Sequence, residues 1–169
     1  MNKPDAAAKV ANLAQHLESL LSENRFCFSR QTIERRHRDI FDIICDTNEK
    51  GLVEQRITAY VHDKLIFFEA AVPVTHTDND AVAALVNNLN LIHPFGTFQL
   101  DLRDGELNWT NYLAARNGAW PGNDIVLSML ESAKEMAGVL YRELLSVSSA
   151  STSKGQYRRL HFYDRFDDP

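Results

Sequence analysis

The stretch NNLNLIHPFGTFQLDLRDGELNWTNYL, Asn87 to Leu113, decides how the chain is read. It concentrates asparagines, a lone histidine, a proline and two glycines, so it is either a catalytic loop or a joint between two structural elements. Just before and within its start, Val82, Leu85, Val86, Leu89 and Ile92 recur at steps of three and four, the signature of one apolar helix face, and Pro94 ends the pattern. Thr77, followed three residues later by Asp80, resembles a capping box with Asp in place of the preferred Glu. Asp78 and Asp80 also suit the positive end of the helix dipole. Downstream, Asp104-Gly105 signals a two-residue type I′ turn, which needs positive φ at both central residues. Counting outward pairs Arg103 with Glu106, Leu102 with Leu107, Asp101 with Asn108, Leu100 with Trp109 and Gln99 with Thr110. The leucines and Trp109 then share one face, and opposite charges meet beside the turn. One register satisfies turn, core and charge, so the stretch reads as a joint from helix to hairpin.

Working outward toward the N-terminus, LVEQRITAYVHDKLIFFEAAVPV (Leu52–Val74) reads as two strands. A turn at Asp63-Lys64 sets Val61 opposite Ile66, Ala59 opposite Phe68 and Ile57 opposite Ala70, aligning one apolar face across both strands. The other face pairs Tyr60 with Phe67 and Thr58 with Glu69 and is expected to be only partly covered. Pro73 ends the second strand because it has no donor for the ladder. DIFDIICD (Asp39–Asp46) alternates through Phe41, Ile43 and Cys45 and reads as a further strand, with TNEKG as the turn after it. RFCFSRQTIERRHR (Arg25–Arg38) fits either a short extended piece followed by a helical turn, or a loop. Before it, Asp5 is a plausible N-cap for an amphipathic helix whose apolar face carries Val10, Leu13, Leu17, Leu20 and Leu21.

Toward the C-terminus, Asn123 is expected to cap a long helix running through Ile125, Met129, Ala133, Met136, Leu140 and Leu144. SVSSASTSKGQ then reads as a flexible linker, and YRRLHFYDRFDDP regains aromatic residues. The expectation is a single α+β domain over residues 1–145, a linker over 146–156 and a tail over 157–169. The domain would be an antiparallel sheet of about five strands with helices mainly on one face, in the order α-β-β-β-α-β-β-α.

The chain has 169 residues, 44% of them hydrophobic and 24% charged, with a net charge of −5. That is an ordinary globular composition and argues against a dedicated nucleic-acid binder. Cys27 and Cys45 belong to no ligand or redox motif and read as reduced, buried thiols. No apolar stretch is long enough to span a membrane, and the charged N-terminus lacks a signal-peptide core, so the expected location is the cytoplasm.

The element order, and the residues from Ala70 to Leu144, resemble the YbjN family, described as bacterial sensory transduction regulators. The positions that carry the resemblance are Asn90, Gly96, Phe98, Leu100, Asp101, Gly105 and Leu107. The stretch from Arg25 to Asp39 and the tail after Ser146 do not contribute to it. The resemblance implies a fold similar to type III secretion chaperones, whose members bind other proteins, often as homodimers, and are not enzymes.

The residues themselves carry little chemistry. There is no H-E-x-x-H, G-x-S-x-G or phosphate-binding glycine loop. His76 and Asp78 precede a helix that His93 ends, so the three cannot converge on one metal, and capping accounts for the aspartates. No catalytic residue, metal site or cofactor is expected. Tyr60 and Phe67, on the less apolar sheet face, are candidates for contact with a protein partner, together with Arg35, Arg36 and Arg38. Between Arg25 and Arg38 five arginines stand against Glu34 alone. Their forks suit carboxylates and phosphates, so the cluster is a docking site for an acidic partner or a nucleic-acid backbone. The plainer reading, a solvated face beside the acidic remainder or a dimer contact, carries more weight. The tail YRRLHFYDRF is open between a linear motif, a segment that docks on its own body and a disordered end.

Overall fold

The computed structural model describes residues 6–33, 38–45, 55–62, 65–72, 74–75, 78–103, 105–114, 119–147 and 151–152, with backbone alone at 6–11, 74–75 and 151–152. Along the chain these form α1 (Ala6–Glu23), β1 (Cys27–Ile33), β2 (Arg38–Cys45), β3 (Gln55–His62), β4 (Leu65–Val72), β5 (Val74–Thr75), α2 (Asn79–Ile92), β6 (Thr97–Leu100), β7 (Leu107–Ala114), α3 (Asn123–Ser146) and β8 (Ser151–Thr152). The fold is α+β. Six strands make one antiparallel sheet in the order β1-β2-β3-β4-β7-β6, and β5 pairs with β8 beside it.

The sixth strand is β1, from the stretch that the sequence left open between extended piece and loop. It is an edge strand and mostly polar, so its own pattern is weak. Pairing with β2 defines it, with Phe28 packed near Phe41 at 6.0 Å between ring centroids. The turn from α1 into β1 is a Schellman motif. Phe26 N–H donates to the Leu21 carbonyl at 3.0 Å and Arg25 N–H to that of Ser22 at 3.1 Å, with Arg25 at φ 59°.

The β3–β4 register agrees with the apolar alignment, including Tyr60 opposite Phe67 and Ile57 opposite Ala70. All three helices pack on one face, in a core built from Leu17 and Leu21 of α1, Val82 and Leu89 of α2, and Val126, Leu130, Ala133, Leu140 and Leu144 of α3. They close over Phe41, Ile43, Ile57, Phe68, Phe98, Leu107 and Trp109 of the strands. No helix among the described residues is long and apolar enough to cross a membrane.

Several expectations need correction. The β6–β7 register differs by two residues, with Phe98 opposite Trp109 and Leu100 opposite Leu107. Six residues, 101–106, then form the loop in place of a two-residue turn. Asp101 holds it: its carboxylate accepts from Arg103 N–H at 2.9 Å and from the Arg103 guanidinium, while Gly105 N–H donates to the Asp101 carbonyl at 2.7 Å. This local side-chain turn wins over the shorter one, and Arg103 meets Asp101 where Glu106 was expected. A slip of two preserves which face each side chain takes, so Leu100 and Trp109 still share the core side. Leu102, placed in the core by the shorter turn, is 66% exposed.

Asp78 is the N-cap of α2, accepting from Ala81 N–H at 2.9 Å, and Thr77 lies outside the described residues. Asn90, two residues before the end of α2, faces the sheet, so Ile92, about 200° further round the helix, turns away. Ile92 is accordingly 68% exposed and not part of the core face. Gly122, not Asn123, caps α3, and the Asn123 side-chain oxygen lies 2.7 Å from His16 Nε2 on α1. The buried stripe of α3 therefore starts at Val126, one residue later than expected, and Ile125 is left 49% exposed. Cys45 is buried as expected, whereas Cys27 is exposed on the edge strand. Asp5, the TNEKG turn, Asp63, Lys64, Pro73 and residues 153–169 lie outside the described residues. The stretch that reads as a linker contributes Ser151–Thr152 to the small β5–β8 pair.

Candidate functional site

The joint between α2 and β6 is built by Asn90. Its side-chain oxygen accepts from Phe98 N–H at 2.8 Å, and its amide donates to the Phe98 carbonyl at 2.9 Å. Phe98 sits on the sheet edge, so Asn90 takes the place of a neighbouring strand at that residue. Gly96, at φ 75°, lies so close to the Trp109 indole that a Cβ there would enter the ring, and the Trp109 indole N–H donates to the Phe95 carbonyl at 3.2 Å. Asparagine, glycine and tryptophan are thus structural here. The consequence for the surface is that the chain between Asn90 and Gly96 is held outward, with Leu91 83%, Ile92 68% and Phe95 75% exposed.

Phe95 lines a cleft of about 440 Å³ with Asn111, Asp124, Ile125, Ser128, Met129 and Ser132. One wall is the first three turns of α3; the floor includes β7. Phe95, Ile125 and Met129 give the cleft apolar surface, and Asn111, Asp124, Ser128 and Ser132 place polar groups along it. Its position against α1 is fixed by His16, which bonds Asn123 and packs on Trp120 at 4.4 Å between ring centroids. From the sequence, Phe95 is a loop residue and Ile125 belongs to the apolar stripe of α3, whereas Met129 does pack against the core while lining the cleft. The signal available was the stripe Val126, Leu130, Ala133, Ala137, Leu140 and Leu144, from which Ile125 is displaced.

Tyr60, Phe67 and Arg38, expected at a partner-binding surface, lie together on the sheet face away from the helices. They are, however, buried: Tyr60 is 3%, Phe67 9% and Arg38 6% exposed. The two rings pack at 5.9 Å between centroids, and with Ile40 they form a second apolar cluster, flanked by Ile33 and Leu65. The Tyr60 hydroxyl donates to the Glu69 carboxylate at 3.0 Å. Burial, then the adjacent Glu69 charge and its hydrogen bond, push the Tyr60 phenol well above the ordinary tyrosine range. The face is closed over the Ile40–Tyr60–Phe67 cluster, while Gln31 and Tyr112 at its sides are exposed. Arg35 and Arg36 lie outside the described residues.

Among the described arginines, Arg25, Arg30 and Arg38 do not form one solvated basic face. Arg30 bridges Asp39, at 2.9 Å, and Glu18 of α1, while Asp39 also accepts from the Thr32 hydroxyl at 2.6 Å. Burial opposes the Arg30 charge, but the bonds to Asp39 and Glu18 outweigh it and raise its pKa. Arg25 caps α1, and Arg38 is inside the sheet face just described. Of the residues weighed as metal ligands, Asp78 is a helix cap and His93 packs edge-on against Phe98 at 5.8 Å, while His76 lies outside the described residues. Among the described residues no three His, Cys, Asp or Glu side chains group as a metal site.

Set against known proteins, the sequence matches no family model and no curated protein.

Proposed function

We propose that the chain is a non-enzymatic protein-binding module that takes part of its partner in the cleft between the α2–β6 joint and α3. The observation that carries this reading is the outward-held Phe95 sharing one cleft with exposed Ile125 and half-buried Met129. Apolar groups gathered at such a cleft gain by being covered, and the polar groups along it give a partner fixed points of attachment. The resemblance to sensory transduction regulators, and to the secretion-chaperone fold it implies, supports a regulatory or chaperone-like role, exercised in the cytoplasm and as a homodimer.

The test compares proteins retained from an extract of the source cells by the wild type and by a Phe95→Asp/Ile125→Asp variant. Proteins held by the wild type and released by the variant support the reading. Identical sets on both, with the variant folded, rule out the cleft. Molar mass in solution tests the dimer separately, with twice the chain mass expected at micromolar concentration.

A further inference from the structure

The two edges of the six-stranded sheet are built differently. At β6 the edge is four residues long, α2 lies against it, and the Asn90 side chain bonds both main-chain groups of Phe98 from outside. At β1 the edge runs for seven residues without proline or bulge, and no described element lies beyond it. Short length, cover, bulges and free charge are the devices by which an edge avoids pairing. β1 lacks the first three, and its one charge, Arg30, is occupied by Glu18 and Asp39.

Asn90 also fixes which groups β1 leaves open. Residues opposite each other in an antiparallel pair either exchange hydrogen bonds or both turn them away, and the two cases alternate along the strand. Phe98 turns outward to Asn90, so Trp109 turns toward β4 and pairs with Ala70. Ile57, behind Ala70, then turns toward β2 and pairs with Ile43, which leaves Phe28 turned outward. Phe28, Arg30 and Thr32 therefore point N–H and C=O off the sheet, and among the described residues nothing bonds these groups. Arg30 shows the opening directly. The residue is exposed while its side chain is only 26% exposed, so its main chain supplies the remainder.

We propose that β1 pairs antiparallel with β1 of a second copy, about a two-fold axis at Arg30 perpendicular to the sheet. This rests on the homodimer reading above and gives that dimer its interface. In this register Phe28 exchanges hydrogen bonds with Thr32 of the other copy, as do the two Arg30 residues with each other, making about six bonds. Cys27 faces Ile33, and Ser29 faces Gln31, across the seam. The strand is suited to meeting itself. Each Arg30 is held by Glu18 and Asp39, so the two do not meet as bare cations. Phe28 and Ile33, half-buried near opposite ends of β1, both gain cover. The helices leave room, because α1 lies over β2 and β3 as well as β1. From β2 of one copy to β2 of the other is three strand spacings, about 14 Å, and packed helices need only about 8–10 Å.

Two variants of the full chain test the seam. Ile33→Cys sets a thiol opposite Cys27 of the second copy, in a pair without hydrogen bonds and within disulfide reach. Within one chain, positions 27 and 33 lie about 20 Å apart and cannot join. Mild oxidation should link this variant into a covalent dimer at least tenfold faster than Ser29→Cys, whose thiol faces Gln31. Buried Cys45 should stay unlabelled by maleimide, which reports that the chain is folded. Thr32→Pro removes an outward N–H that no strand of its own sheet uses, and should weaken the dimer at least tenfold, read as molar mass against concentration. If Thr32→Pro exposes Cys45, the cross-linking comparison decides alone. A dimeric wild type whose Ile33→Cys variant links no faster than Ser29→Cys overturns the seam and leaves the homodimer standing. A wild type that is monomeric at every concentration overturns both, and leaves the edge to a strand of another protein.

Discussion

Gly96 shows how little room some positions leave. Its φ of 75° lies in the left-handed region, and the Trp109 indole occupies the space of any Cβ. Gly96→Ala should therefore lose about 2–4 kcal/mol, combining backbone strain with overpacking, measured by urea denaturation. Arg25 is the opposite case. It occupies the left-handed C′ position of α1 that glycine fills without strain, and Arg25→Gly should stabilise the protein by up to about 1 kcal/mol. Tyr60 makes a prediction about pH. Its phenol is held protonated in the folded protein, above its unfolded value near 10. Above that pH the unfolded chain releases a proton that the folded one keeps, so stability falls as pH rises. The slope from this group approaches about 1.4 kcal/mol per pH unit. Tyr60→Phe should remove that part of the decline, read as a difference between the two proteins' stabilities from pH 9 to 11.

At the scale of elements, the β6–β7 hairpin separates two registers experimentally. With six residues in the loop, Leu102 is solvent-exposed and Phe98 lies opposite Trp109, 2% exposed. Leu102→Lys should change stability by no more than about 0.5 kcal/mol, whereas Phe98→Ala should cost about 3–5 kcal/mol. A two-residue turn would have made Leu102 a core residue with a comparable cost. Asp104-Gly105 is a strong local signal, but Asp101 offers its carboxylate to Arg103 N–H and guanidinium, and that loop keeps every side chain on its face. Periodicity cannot distinguish the two, because they differ by one full pleat. The same limit shifted the apolar stripe of α3. Ile125 and Val126 both continue a helical pattern, and the choice fell to how α3 sits on β4 and β7. β1 was harder to read for another reason: an edge strand with both faces partly wet carries little apolar alternation, and β2 supplies the order that its own residues lack.

For the molecule as a whole, the two faces of the sheet behave differently. The helix side is sealed by side chains spaced at helical and strand periods, while on the far side the Ile40–Tyr60–Phe67 cluster is buried and the cleft at Phe95 stays open. Because Phe95 and Ile125 are 75% and 49% exposed, Phe95→Asp/Ile125→Asp should leave the denaturation midpoint within about 0.5 kcal/mol of wild type, so any loss of binding would reflect the surface and not the fold. The α+β class, the position of most elements and the β3–β4 register were determined by the sequence alone, since apolar periodicity and side-chain alternation are local properties that any packing must respect. Which of two equally periodic registers formed, which helix residues were left over at the surface, and which face of the sheet was closed were decided by the tertiary structure. Those outcomes depend on contacts such as Asn90 with Phe98, Gly96 with Trp109 and His16 with Asn123, whose partners are brought together only when the sheet and helices have met.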